Sequence, residues 1–259
     1  MDLGIRGRKA IVCASSRGLG KACALALASD GVDVVVNGRD EAVLQATAQE
    51  IRDATGVKVA AVAADVSTPE GQAALLAACP DPDILVNNNG GPPFRDFRTL
   101  EREAILKGVV QNMVTPIELI QMVVAGMIER RFGRIVNITS GSVKSPILGL
   151  DLSSGARAGL TAFLAGPARD LARHNVTING ILPGIFDTDR LKNLTRAQAE
   201  KQGKSVEEIA ASRTEKVPAK RFGRPEEFGK LCAFLCSDAA GYIVGQNFLI
   251  DGGAFNAAI

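Results

Sequence analysis

Histidine is almost missing from this chain, with His174 alone in 259 residues; tyrosine occurs once, at Tyr242, and tryptophan not at all. Apolar runs of the roughly 20 residues needed to cross a bilayer are lacking, so no membrane partner is expected. The opening stretch MDLGIRGRKA has no apolar core of the signal-peptide kind, and a cytoplasmic location is the expectation. Charge of one sign is nowhere concentrated. The 30 basic and 28 acidic residues give a net +2 and are scattered, which excludes the clustered basic surface of a nucleic-acid binder. The five cysteines, at 13, 23, 79, 232 and 236, have no framework spacing. Cys232 and Cys236 stand one helical turn apart, but with a single histidine they complete no metal site, and buried reduced thiols are expected.

What is present is an ordinary globular composition, 46% apolar and 22% charged, enough for one domain over residues 1–259 with a substantial core. Short β-branched runs recur as KAIVCA, VDVVVN, VKVAAVAADV, DILVNN, RIVNITS, NVTINGIL and QNFLIDGG. Between them lie helical stretches over 20–30, 40–54, 68–79, 101–130, 152–173 and 225–236. Nearly continuous apolar strands separated by helices predict an α/β fold. Its form is a doubly wound parallel sheet of about seven strands, with helices on both faces. Residues 187–217 break this rhythm. They are highly charged and contain no strand, and because they follow a strand end they are expected to form a helical lid over the ligand side of the sheet. In the helix 152–173, Asp151, Ser153 and Ser154 are N-cap candidates. Gly166-Pro167 is expected to kink that helix, and His174 to cap its far end.

The first strand runs into CASSRGLGKACALALA, residues 13–28. A strand, a small-residue loop carrying Gly18 and Gly20, and then a helix is a context suited to a pyrophosphate, because glycine lets the backbone approach and the helix N-terminus supplies amide donors.

Further motifs follow in order, and together they resemble the short-chain dehydrogenase/reductase family across roughly residues 5 to 253. The family's Thr-Gly-x-x-x-Gly-x-Gly loop aligns with Cys13 to Gly20, so that Ala14 stands where the family has a flexible glycine, followed by Ser16, Arg17, Gly18, Leu19 and Gly20. Asp65-Val66 matches the Asp-Val after the third strand, whose carboxylate meets the adenine amine. Asn87-Asn88-Asn89-Gly90 matches Asn-Asn-Ala-Gly. Pro183-Gly184, with Ile185 and Thr188, matches the turn after the sixth strand, Thr188 being placed to reach the carboxamide. GRPEEFGKLCAFLCSDAAGYIVGQNFLIDGG resembles the family's C-terminal stretch.

The resemblance implies a Rossmann fold, a nicotinamide cofactor and pairing of helices 101–130 and 152–173 between subunits, hence a homotetramer or dimer. Beside the second strand the sequence offers Asn37, Gly38 and Arg39 in place of the carboxylate that selects NAD. Arg39 and Arg17 together suit a 2′-phosphate, so NADP is the expected cofactor and NAD the alternative.

The family's active centre is an Asn, a Ser, a Tyr and a Lys. By register these fall on Asn112, Ser140, Ser153 and Arg157, with AGL at 158–160 fixing the count. Tyr242 is expected to be structural. A serine hydroxyl is a far weaker acid than a phenol, and Arg157 stays protonated, with a fork suited to the cofactor's ribose hydroxyls. The chain thus resembles an atypical, 3-oxoacyl-(acyl-carrier-protein)-reductase-like subgroup with this Ser and Arg pattern. The expected activity is hydride transfer to or from a carbonyl or alcohol on a small-molecule or acyl-thioester substrate. The alternative is a non-catalytic nucleotide-binding protein, a sensor or an assembly subunit. Lys144, four residues past Ser140, is a candidate substitute proton donor.

Overall fold

The structure, a computed structural model, describes residues 2–92 and 94–257. Seven strands form one parallel sheet: β1 Lys9–Val12, β2 Asp33–Gly38, β3 Val59–Ala63, β4 Ile84–Asn87, β5 Gly133–Ile138, β6 Val176–Pro183 and β7 Asn247–Ile250. Their order is β3-β2-β1-β4-β5-β6-β7, so the sequence of strands reverses between β1 and β4. That reversal opens a crevice at the carboxyl ends of the strands, the usual ligand position in open α/β sheets. Strands β4 and β5 are buried at every residue, as a sheet covered on both faces requires.

Two helical layers do the covering. On one face α1 (Gly18–Ser29), α2 (Glu41–Thr55) and α9 (Pro225–Leu235) supply Cys23, Leu27, Leu44, Ile51 and Phe228 to the core. On the other, α3 (Pro69–Ala78), α5 (Thr115–Glu129) and α6 (Asp151–Leu171) supply Leu75, Leu119, Val123, Leu160 and Leu164. Each fully buried leucine contributes about 1.5–3 kcal/mol relative to exposure, which makes the two layers the main source of stability. All five cysteines are free and buried, and no metal-ligand cluster occurs among the described residues.

The segment expected as one helix over 101–130 is α4 (Arg102–Val109) and α5 joined by a π-helical turn, Val110–Val114. At 28 residues and mean hydropathy 1.3, the combined helix is long and apolar enough to cross a membrane by length and composition alone, contrary to the expectation that no run reaches that length. Leu119, Ile120, Val123 and Met127 of this helix are buried in the core, while Ile105, Leu106, Val110 and Met122 are exposed. Residues 187–217 form two helices, α7 (Asp189–Gln202) and α8 (Val206–Glu215).

Several local expectations are corrected. Helix α6 begins at Asp151 with Leu150 as its N-cap and no side-chain cap. The Asp151 carboxylate accepts from the Gly149 amide just outside the helix, and Ser153 and Ser154 are already buried inside it. The helix also runs unbroken through Pro167. Its buried stripe of Ser153, Arg157, Leu160, Leu164, Ala168 and Leu171 leaves Pro167 on the exposed side, where water can take the freed carbonyl. The far end is closed by Asn175, left-handed at φ 58°, whose amide donates to the Arg131 carbonyl; His174 only accepts from Arg173. Tyr242 is fully exposed and packs on nothing within the chain.

Candidate active site

At the amino end of α1 the loop after β1 is held by buried polar groups. Ser15 donates its hydroxyl to the Val12 carbonyl and accepts from the Asn37 amide. Asn37 then accepts from the Ala14 amide at 3.1 Å and donates to the Val62 and Ala64 carbonyls at 3.0 Å each. Every hydrogen-bonding group of that side chain is thereby engaged with loop backbone. Asn37 is accordingly a brace between the loop and β3. Asn88 donates to the Ala14 carbonyl at 3.1 Å, tying the second motif to the first. Gly20 lies beneath this contact. A Cβ there would overlap the Ala14 carbonyl and stand 2.9 Å from Asn88 Nδ2. Ala14 itself sits at φ 45°, in the left-handed region that glycine occupies without cost.

A dinucleotide fits this frame. Arg17 precedes α1 without a capping side chain, and no acidic residue occupies the first turn, so the amides of Gly18, Leu19 and Gly20 face the crevice uncapped. Such a terminus favours phosphate through its orphan donors and dipole. Across the crevice the Thr188 methyl group comes within 3.7 Å of where a Cβ on Gly18 would stand, while its hydroxyl caps α7 by accepting from Leu191. Ser16 packs against Gly38 at the end of β2. Beside it Arg39 is exposed, and Arg17, also exposed, pairs with Asp40 at 3.3 Å. Asp65 accepts from both the hydroxyl and the amide of Ser67, which holds its carboxyl below the usual range. Val66 is buried beneath it, and Gly90 faces open space. On the far wall Gly184 is pressed so closely on Asp251 that a Cβ would stand 2.6 Å from its Cβ. Pro183 ends β6, and Ile185 is partly exposed.

The second half of the site gathers at α6. Arg157 is buried. Its Nη1 donates to the Ile138 carbonyl at 2.6 Å and the Thr139 carbonyl at 2.8 Å, and its Nε to Ser153 Oγ at 3.1 Å. Strand β5 therefore fixes the guanidinium directly below the turn that carries Ser140, whose hydroxyl accepts from the Ser142 amide. Burial, with a smaller contribution from the like charge of Arg190, lowers the Arg157 pKa to about 10. At neutral pH the group is a cation, and among the described residues it has no carboxylate partner. Since Ser153 Oγ accepts from Arg157, the serine proton is free to point elsewhere. Asn112 lies inside the π-helical turn, donating to the Gly108 carbonyl, with its side-chain oxygen buried and unpartnered within the chain. Lys144 is exposed, its ammonium 5.7 Å from the Phe255 ring centroid.

Sequence reasoning missed Arg190. It lies in the first turn of α7, two residues past Thr188, with its guanidinium against Gly91. A Cβ on that glycine would stand 2.9 Å from Arg190 Nη1.

With this geometry in view, residues 13–254 match the family model for enoyl-(acyl carrier protein) reductase. The chain belongs to the short-chain dehydrogenase/reductase family of oxidoreductases. It is 33% identical to the 3-oxoacyl-(acyl-carrier-protein) reductase FabG of Aquifex aeolicus, over 98% of this chain and 100% of the relative. It is 31% identical to the NADPH-dependent reductase BacG of Bacillus subtilis, over 96% of this chain and 98% of that one. Among solved structures it resembles L-sorbose reductase from Gluconobacter frateurii complexed with NADPH and L-sorbose. There the TM-score is 0.95 at 29% identity, covering 99% of this chain and 100% of the other. The Agrobacterium tumefaciens 3-oxoacyl (acyl-carrier-protein) reductase with NADP bound superposes with TM-score 0.86 at 29% identity, over 97% and 96%.

Proposed function

We propose that this chain is an NADP-dependent oxidoreductase of the 3-oxoacyl-reductase type, moving hydride between cofactor and a carbonyl or alcohol, with Ser153 and Arg157 where the family has Tyr and Lys. The observation that carries the reading is Arg157, fixed by Ser153, the Ile138 carbonyl that ends β5 and the Thr139 carbonyl just before Ser140. The uncapped N-terminus of α1 would hold the diphosphate, and Arg17 and Arg39 the 2′-phosphate. When bound, the cofactor supplies the hydride. Ser140 donates to the substrate oxygen and orients it. As negative charge develops on that oxygen, the buried guanidinium of Arg157 stabilises it in a medium of low effective dielectric. Ser153, polarised by Arg157 Nε, delivers a proton to the same oxygen and is reprotonated from water. Because serine is a weak acid, turnover falls below that of a tyrosine-bearing enzyme by about 10²–10⁴.

The expected assembly is a homo-oligomer in the cytoplasm. Ile105, Leu106, Val110, Met122 and Phe163, apolar yet exposed on α4, α5 and α6 and the π turn, support it. The test is binding and turnover of NADPH and NADH with a panel of ketones and 3-oxoacyl thioesters. NADPH-dependent reduction is expected. Tight NADPH binding with no turnover on any carbonyl would establish the nucleotide-binding alternative instead. A gain of rate in Ser153→Tyr/Arg157→Lys would identify the proton donor as the limiting group.

A further inference from the structure

A buried charge without a counter-charge is costly to maintain, and proteins normally pair it. Arg157 is such a charge. All three of its hydrogen bonds go to neutral acceptors, the Ile138 and Thr139 carbonyls and the Ser153 hydroxyl. Where the family sets a phenol beside this position, this chain sets an alcohol, a far weaker acid that carries no resting negative charge. The neighbouring charge is a second cation. Arg190 reaches in from the first turn of α7, lies on Gly91 in the loop after β4, and is close enough to repel Arg157. Three acids on the flanking segments are engaged elsewhere, and Asp189, beside Arg190 in the first turn of α7, makes no ion pair with either guanidinium. Asp96 is bound by Arg98, Asp187 by Lys192, and Asp151 accepts from the Gly149 amide.

We infer that Arg157 and Arg190 together form a carboxylate-binding site, and that the substrate is a 2- or 3-oxo acid whose ionised carboxylate, in place of a thioester, supplies the missing negative charge. This rests on the carbonyl-reductase reading of the same site and names its substrate class. The Arg190 fork matches a carboxylate in two parallel hydrogen bonds, and Arg157, whose Nε and Nη1 are engaged within the chain, adds Nη2 and its charge while Ser140 takes the ketone oxygen. Arg157 is positioned by the sheet, whereas Arg190 rides on the lid. Closure of the lid onto a bound acid would therefore bring the second guanidinium to the anion. The rejection of neutral analogues follows from the same arrangement, because an ester or thioester would leave both cations facing each other without compensation.

The anion could come instead from the cofactor diphosphate, and the experiment separates the two sources. With the full chain and NADPH, kcat/KM is measured for acetoacetate, ethyl acetoacetate and S-acetoacetyl-N-acetylcysteamine. In parallel, NADPH affinity and the binding of 3-hydroxybutyrate to the NADP complex are measured by calorimetry. Acetoacetate is expected to exceed both neutral substrates by at least tenfold. In Arg190→Gln, an exposed position whose change leaves the core intact, that preference is expected to fall tenfold or more. NADPH affinity should stay within twofold. A preference for ester or thioester, or a tenfold loss of NADPH affinity in Arg190→Gln, would overturn the inference. Should no carbonyl turn over, the function reading falls, and calorimetry alone decides the anion site. Binding of 3-hydroxybutyrate that Arg190→Gln weakens would sustain it, and no binding would refute it.

Discussion

At the amino end of α1 the crevice offers positive potential through backbone amides and exposed guanidiniums, whereas at α6 it offers one guanidinium sealed in the protein interior. The first arrangement uses groups that water can also satisfy, so it costs little when empty. The second keeps Arg157 charged in a place where charge is expensive, and its three neutral acceptors offset that cost only in part. The nucleotide end is thus a tolerant surface with a tightly packed base, and the α6 end a committed one.

That contrast can be broken most severely at the base of the nucleotide end. Gly20→Ala forces a methyl into the Ala14 carbonyl and Asn88, and should cost about 2–3 kcal/mol. Chemical denaturation would report that loss, and NADPH titration should show binding abolished. Replacing the exposed pair, Arg17→Ser/Arg39→Ser, tests the tolerant surface itself. NADPH affinity should drop about 30-fold, equivalent to about 2 kcal/mol, with NADH affinity and thermal midpoint held. Equal losses for both cofactors would remove the 2′-phosphate role.

At the committed end, Ser153→Ala deprives the buried Nε of Arg157 of its acceptor and should destabilise the fold by about 1.5 kcal/mol. It should also lower kcat more than it changes KM. An unchanged midpoint would mean that the charge is less dependent on its neutral partners than the contrast requires. The smallest effect is a gain. Ala14→Gly relieves a left-handed alanine and should stabilise the protein by about 0.5–1 kcal/mol, with NADPH bound more tightly.

Periodicity and motif order were sufficient for the seven strands, their parallel sheet and the loop before α1, because each of these depends on residues close in sequence. What could not be read were outcomes of distant contacts. That the Asn37 side chain also braces the end of β3, some 25 residues on, through the Val62 and Ala64 carbonyls has no local signature. Asn175 displaced His174 as the cap of α6 because Arg134, on the neighbouring strand, donates to its side-chain oxygen. Arg190 was hidden in a segment read only as charged lid, since nothing local marks which of its cations turns inward. The placing of Ser153 and Arg157 at the family's Tyr and Lys positions, by contrast, followed from the resemblance and the AGL spacing, although their direct hydrogen bond was not legible.

The π-helical turn at Val110–Val114 is in effect one surplus residue stored in the long helix. Deleting Val110 would let the helix close with ordinary spacing while α4 and α5 keep their phase, because the wide turn already absorbs the roughly 100° that one more α-helical residue would add. The change would be confined to the turn, and Asn112 would lose the widened backbone in which it now sits. A one-residue excision can therefore leave the helix and its alignment whole while removing the turn, separating the two in a single measurement.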